Sequence, residues 1–190
     1  VLAKDLEARA HLPPFDNSAM DGYAVRAKDL KGASAKKPVE LVVRATIRAG
    51  ASERTPLRSG EAARIMTGAP MPPGADSVVM QESTRPGAPG LVKILQPSQI
   101  GDYIRFKGED IKAGQPLLKK GALLRPYEIA LLAAQGITDI PVFRRPTVAV
   151  LTTGDELVDA SKGISYGRIR NSNGPAILAA LSRWNIPAVD

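Results

Sequence analysis

Apolar positions follow two different rhythms along this chain, and the change of rhythm divides it. From Tyr23 to Phe106 they come in short runs separated by Gly and Pro, the pattern of short strands and turns. Leu41-Val42-Val43 with Thr46-Ile47 predicts one strand, closed by a turn at Gly50. Gly60 leads into a second, Ala62-Ala63-Arg64-Ile65-Met66. Asp76-Ser77-Val78-Val79-Met80 predicts a third and Leu91-Val92-Lys93-Ile94-Leu95 a fourth. Thr67-Gly68-Ala69-Pro70-Met71-Pro72-Pro73-Gly74 reads as a proline-stiffened loop, and Arg85-Pro86-Gly87-Ala88-Pro89-Gly90 as a loop tip. Together these segments imply a compact β domain.

The flanks read differently. Leu2, Leu6 and alanines among charges resemble the last turns of a helix ended by Pro13-Pro14, which implies chain ahead of Val1. Lys112-Ala113-Gly114-Gln115 and Lys119-Lys120-Gly121-Ala122 read as turns around Leu117-Leu118. Residues 126–136 carry a helix signature, with Pro126 at the first helical position and Gly136 just past the end. Ile129, Leu132 and Ala133 can share one face of it. From Pro146 the order is strand, loop, helix, strand: Val148-Ala149-Val150-Leu151, then Arg170-Asn171-Ser172-Asn173-Gly174 ahead of a stripe of Ile177, Leu178, Leu181 and Trp184, then Ile186-Pro187-Ala188-Val189. Asn173 is placed to cap that helix, with Pro175 in its first turn. This is the opening of a parallel α/β unit. A nearly all-apolar strand suits a sheet covered on both faces, and one helix with two strands cannot supply that cover. The chain therefore reads as a fragment of a longer protein.

Composition narrows the chemistry. There is no cysteine and a single histidine, His11, so disulfides, thiolate nucleophiles, cysteine-based metal sites and multi-histidine centres are excluded. Any chemistry falls to carboxylates, hydroxyls, backbone amides, Lys and Arg. Aromatic residues make up only 4%, so the cores must be aliphatic. No apolar run approaches the roughly 18–20 residues that cross a bilayer, and no secretory signal is visible. The formal charge of +7 favours anionic partners. The basic residues nevertheless form no run longer than the pairs Lys36-Lys37, Lys119-Lys120 and Arg144-Arg145. That dispersal argues against nucleic acid and suits small anionic ligands; a solvated basic surface is the plainer alternative.

Four polar islands stand out. In Pro14-Phe15-Asp16-Asn17-Ser18-Ala19-Met20-Asp21-Gly22-Tyr23-Ala24-Val25, the short polar side chains favour a turn and Gly22 permits a bend or a close approach. Asp16 and Asp21 thus belong where a loop enters a sheet, a common place for binding groups; a turn with a cap is the bland alternative. Thr67-Gly68 offers a hydroxyl and backbone amides ahead of a rigid loop. Glu109-Asp110 is a carboxylate pair, or simply two solvated charges. Thr153-Gly154-Asp155-Glu156 lies at the carboxyl end of a predicted parallel strand, where α/β sheets bind ligands. Gly154 allows close approach, and Asp155 and Glu156 offer oxygens to a metal or to ligand hydroxyl and amino groups. Asn171-Ser172-Asn173 suits either a polar-ligand contact at a helix N-terminus or ordinary capping.

In order and spacing, Phe15-Asp16-Asn17-Ser18-Ala19-Met20-Asp21-Gly22-Tyr23-Ala24, Arg64-Ile65-Met66-Thr67-Gly68-Ala69-Pro70-Met71-Pro72, Gly108-Glu109-Asp110-Ile111 and Thr153-Gly154-Asp155-Glu156-Leu157 resemble the molybdenum-insertion proteins of the MoeA type, the molybdopterin molybdenumtransferases. Gephyrin and its plant counterpart carry related E domains. The likeness spans nearly the whole chain and implies a multidomain α+β fold. Subdomain I, dimer-forming, would be split between 1–20 and 108–145. A mostly-β subdomain II would be inserted at 21–107. An α/β/α molybdopterin-binding subdomain III would begin at 146–190 and be incomplete.

The same resemblance implies a function. Such proteins are cytoplasmic homodimers that take adenylylated molybdopterin from an upstream molybdopterin-adenylyltransferase, insert molybdate and release AMP with Mg2+. By matching position, Asp21, Thr67, Glu156 and Asp110 would be the catalytic residues, with positioning of the subdomain junction as the alternative role for Asp110. Ser18, Gly68, Thr153, Gly154, Asp155, Asn171 and Ser172 would line the cofactor site; no metal ligand is assigned. Asp21 and Thr67 would face the cleft from the β side, Glu156 from the α/β side. The alternative is a non-catalytic scaffold or partner-binding module of the gephyrin type. The 190 residues alone would lack insertion activity.

Overall fold

The structure, a computed structural model, describes residues 1–52 and 55–189. It divides into two compact units, Asp5–Asp139 and Val1–Lys4 with Ile140–Asp190.

The larger unit starts with two short strands, β1 (Leu6–Glu7) and β2 (Asn17–Ser18). Six strands follow that form one sheet: β3 (Gly22–Val25), β4 (Val39–Ile47), β5 (Glu61–Ile65), β6 (Ser77–Met80), β7 (Thr84–Pro86) and β8 (Leu91–Ile94). Their order is β6-β3-β5-β4-β8-β7, antiparallel throughout except for the parallel β4–β5 pair. The two outer strands, β6 and β7, are joined by only the 3-10 turn Gln81–Ser83, so the sheet must curl until its edges approach.

Alternation along these strands builds two aliphatic cores. Val25, Ala62 and Val79 join Leu30, Leu41, Val92 and Ile94 in one; their chain neighbours Ala24, Ala63 and Val78 join Ile47, Leu57 and Ile65 in the other. Adjacent residues point to opposite faces of a strand, so both faces of β3, β5 and β6 are buried. That explains why these strands read as apolar runs rather than as polar–apolar alternation. Gly22 opens β3 between β5 and β6, and a Cβ there would collide with the Val79 carbonyl oxygen.

A second layer of contacts ties distant segments to this sheet. Strand β9 (Ile104–Arg105) pairs with β2, and β10 (Pro116–Leu118) with β1. The proline-rich loop after β5 is stitched to residues 16–18: Ser18 N–H donates to the Ala69 carbonyl, Gly68 N–H to Ser18 and Met71 N–H to Asp16. Helix α1 (Pro126–Ala134) closes the unit, and Gly136 beyond it has φ +64°.

The smaller unit holds β11 (Val148–Ala149), β12 (Leu157–Val158), β13 (Ile169–Arg170), helix α2 (Asn173–Arg183) and β14 (Ala188–Val189). β11 pairs with β14 in parallel, and β12 with β13 in parallel. The predicted strand–loop–helix–strand order is thus present. Leu2 bridges Val142, and Phe143 N–H donates to the Val1 carbonyl.

Several expectations need correction. Residues 1–10 are not helical. Leu2, Leu6 and Ala8 sit at even positions, a spacing that serves an extended chain, and their backbones pair with residues far away in sequence. The predicted loop tip at 85–90 begins as strand β7, leaving the turn to residues 87–90. β9 and the β12–β13 pair escaped prediction because two-residue strands carry no period. On α1 only Leu132 is buried, while Ile129 and Ala133 are exposed. Of the α2 stripe, Leu178 and Leu181 are half-buried and Ile177 and Trp184 exposed. Leu151 lies outside the β11 ladder and is 85% exposed.

Two outcomes follow. Gly22→Ala should lower the unfolding free energy by ~1–3 kcal/mol, the range for forcing a methyl into a closed contact; an unchanged urea midpoint would contradict this packing account. At the start of α1, hydrogen bonds from the Arg125 guanidinium hold the Glu128 carboxyl down at about 2, from its usual 4.5. A depressed carboxylate stabilises the fold above its unfolded pKa and ceases to do so as pH falls through the folded value. Its contribution is therefore complete above about pH 4.5 and lost near 2. An NMR titration of Glu128 should show the low midpoint, and Arg125→Ala should return it toward the ordinary range.

Candidate functional site

The register of three strands brings one group together. Gly22 faces Ile65 on β5 and Met80 on β6. Asp21 just precedes Gly22, Thr67 lies two residues past Ile65 and Gln81 one past Met80, so all three stand at the same end of the sheet. Asp21 Oδ1 accepts hydrogen bonds from the Thr67 amide at 2.7 Å and the Thr67 hydroxyl at 2.8 Å. The Gln81 amide donates to the Asp21 carbonyl at 3.1 Å. The two bonds from Thr67, amide first, lower the Asp21 pKa, and the positive charge of Arg64 adds to them. Asp21 is exposed, and its Oδ2 has no hydrogen-bond partner among the described residues. The pair thus presents an ionised carboxylate oxygen in a fixed direction, able to accept a hydrogen bond or hold a cation.

The neighbouring residues build the frame. Ser18 is fully buried, and its hydroxyl donates to the Met20 carbonyl at 2.6 Å. Gly68, at φ +77°, uses its amide on Ser18. Ser18 and Gly68 therefore hold the Asp21 and Thr67 segments together, with the Ser18 hydroxyl turned inward. Asp110 and Glu109 are both gripped by Arg105, a residue the sequence pattern did not single out: Arg105 Nε donates to Glu109 Oε1 at 2.8 Å and Nη2 to Asp110 Oδ2. Its backbone is paired with Asn17 through β2–β9. The i,i+4 spacing of Arg105 and Glu109 was the available signal.

In the smaller unit, Thr153, Gly154, Asp155 and Glu156 form the exposed turn between β11 and β12. Gly154 has φ +153°, and the Glu156 carboxylate folds back over it where a Cβ would stand. Asn171 Nδ2 donates to Thr152 Oγ1 at 2.8 Å, and Asn171 Oδ1 accepts from the Gly174 amide at 3.0 Å. Asn171, rather than Asn173, therefore supplies the side-chain cap of α2, and it ties that helix start to the end of β11. Ser172 is exposed and makes no side-chain cap bond. Asp155 and Glu156 remain open to solvent beside this network.

Among the described residues, no three His, Cys, Asp or Glu side chains gather where they could hold a metal. The candidate carboxylates stand singly, as Asp21, or as neighbours in sequence, as Asp155 and Glu156, and one or two carboxylates can hold a magnesium ion only where ligand phosphates and water complete its shell. For the Asp21–Thr67 pair, loss of the hydroxyl donor is testable: Thr67→Val, which keeps the backbone amide, should raise the Asp21 midpoint part of the way toward its ordinary value in an NMR titration while the Asp21 backbone bond to Gln81 persists. A wild-type midpoint no lower than an ordinary aspartate would refute the arrangement. Because the folded pKa is depressed, any stability from this pair is present above the unfolded value and fades as pH falls through the lowered one.

Comparison with known proteins bears on these residues. The family profile of the MoeA N-terminal region (domain I and II) matches residues 1–136. A molybdopterin molybdenumtransferase of Nostoc sp. is 45% identical over 185 residues, covering 97% of this chain and 42% of that protein. One from Staphylococcus aureus is 42% identical over 186 residues, covering 98% and 44%. The crystal structure of a molybdopterin biosynthesis moeA protein from Pyrococcus horikoshii superposes with a TM-score of 0.87 at 34% identity, covering all of this chain and 50% of that one. This chain thus spans less than half the length of the curated relatives it matches. With most of its length under the family profile, the chain belongs to the MoeA N-terminal region family.

Proposed function

We propose that this chain is the front part of a molybdopterin molybdenumtransferase acting in molybdenum cofactor biosynthesis: it takes adenylylated molybdopterin and molybdate as substrates, places the metal on the pterin dithiolene and releases AMP. The observation that carries the reading is the Asp21–Thr67 pair, held by three strands and a stitched loop within a family whose named members carry that activity. A rigid carboxylate and hydroxyl cost no reorganisation when a charged ligand arrives. The thiolates that receive the metal belong to the pterin, so a chain without cysteine is no obstacle. The net charge of +7 favours anionic substrates.

The same reading assigns the roles. Asp21 and Thr67 act on the ligand directly. Ser18 and Gly68 position them from the frame. Asp110 is a positioning residue, since its carboxylate is held by Arg105. In the smaller unit, Glu156, Asp155, Thr153 and Gly154 form a turn suited to a phosphate-bearing ligand; Asn171 shapes it and Ser172 stands exposed beside it. Mg2+ would be held by Asp155 and Glu156 together with ligand phosphates, where it would offset the repulsion between carboxylate and phosphate. We further propose a cytoplasmic homodimer supplied by a molybdopterin-adenylyltransferase, with the split subdomain I at 1–20 and 108–145 forming the dimer contact, subdomain II at 21–107 and subdomain III from 146. No helix is long and apolar enough to cross a membrane among the described residues.

The test uses the full-length parent in a strain lacking this activity. The unaltered protein should restore molybdoenzyme activity. Asp21→Asn, which keeps an acceptor oxygen for Thr67 but removes the charge, should reduce restoration at least a hundredfold. Full restoration by Asp21→Asn, or none by the unaltered protein, would overturn the reading. The 190-residue chain by itself should release no AMP with molybdate.

A further inference from the structure

Beside the Asp21–Thr67 pair lies a concavity of about 400 Å³ that the foregoing roles leave unused. Tyr23, Arg64, Gln81, Glu82, Thr84, Pro86 and Leu91 line it, all within the larger unit. It exists because the curled sheet brings the turn between β6 and β7 up against the ends of β3 and β5. Tyr23 and Arg64 face each other across β3–β5, so their side chains leave the sheet on one face. Leu95 N–H donates to the Ser83 carbonyl and Thr84 Oγ1 donates to the Gln81 carbonyl, fixing the opposite wall.

The lining is chemically mixed. Arg64 brings five N–H donors and Glu82 two acceptor oxygens. Yet they form no ion pair with each other, nor any side-chain hydrogen bond to other described residues. The Gln81 carboxamide adds one donor group and one acceptor, with its backbone N–H and carbonyl already engaged. A simple oxyanion would be drawn to Arg64 and repelled by Glu82. A planar nitrogen heterocycle meets both, because its edge sets an amino or ring N–H beside a carbonyl or ring nitrogen. The Tyr23 ring, Pro86 and Leu91 supply apolar surface for its face. The volume falls within the ~300–1,000 Å³ range of small-molecule sites.

We propose that this concavity seats a heteroaromatic ring of the substrate, Glu82 accepting from its amino or ring N–H and Arg64 with Gln81 donating to its carbonyl or ring nitrogen. The inference rests on the functional reading above, whose substrate carries two such rings, a pterin and an adenine. Seated here, either ring would place its attached phosphate-bearing chain near the end of the sheet that holds Asp21.

Fluorescence titration of the chain with 2-amino-4-oxopteridine, and calorimetric titration with adenosine 5′-monophosphate, separate the two rings. One of them should bind, and its Kd should rise at least tenfold in Glu82→Gln and in Arg64→Gln. Arg85→Gln, on the neighbouring β7, should leave it unchanged, and all three variants should keep the wild-type urea midpoint. The ligand that shows the loss identifies the ring. Binding of neither ligand, binding indifferent to both substitutions, or displacement of the ring by inorganic phosphate overturns the proposal. Ring binding that depends on Glu82 and Arg64, in a full-length protein that restores no molybdoenzyme, would defeat the functional reading and leave this seat standing.

Discussion

The closeness of β3 to β6 governs this molecule. Gly22 lies against the Val79 carbonyl with no space for a side chain, and the ladders on either side of it set the register of β5 and β6. A slip of one residue would exchange the two buried faces, sending Val25 and Val79 into the wrong core. Both faces are filled by aliphatic side chains, so no such slip is tolerated. The same register fixes where Asp21, Thr67 and Gln81 emerge. Core packing and site geometry are therefore one constraint.

Around that constraint the chain adds stiffness by hydrogen bonding rather than by further core. The loop after β5 has three prolines between Ala69 and Gly74, yet its position comes from backbone bonds to Asp16 and Ser18. Arg105 plays a similar part for the Gly108–Ile111 turn, gathering Glu109 and Asp110 while its own backbone pairs with Asn17. Exposed ion pairs contribute little to stability by themselves. Here two carboxylates share one guanidinium, which makes the arrangement a device for orientation.

The smaller unit solves its problem by another route. Its strands are two residues long, so position is carried by side-chain hydrogen bonds. Asn171 reaches Thr152 with its amide nitrogen and the first turn of α2 with its oxygen. That single side chain aligns the end of β11 with a helix start. The turn bearing Asp155 and Glu156 stays exposed beside it.

How much of this was legible beforehand depends on where each signal lived. The strands at β4, β5, β6 and β8, helix α1 and the β11–α2–β14 order were readable, because aliphatic runs bounded by Gly and Pro report local preference directly. The motifs around Asp21 and Thr67 were readable too, since glycine and short polar residues mark tight turns. The extended path of residues 1–10 was not, because Leu2 and Leu6 suit a helix or a strand equally and only their distant partners decide. Neither was the coupling of Asp21 to Thr67 or of Arg105 to Asp110, nor the meeting of Arg64 and Glu82 on the lining of one concavity. Those pairs join residues far apart in sequence or at unpatterned spacing, and proximity of that kind arises only when the sheet has curled and its register is set.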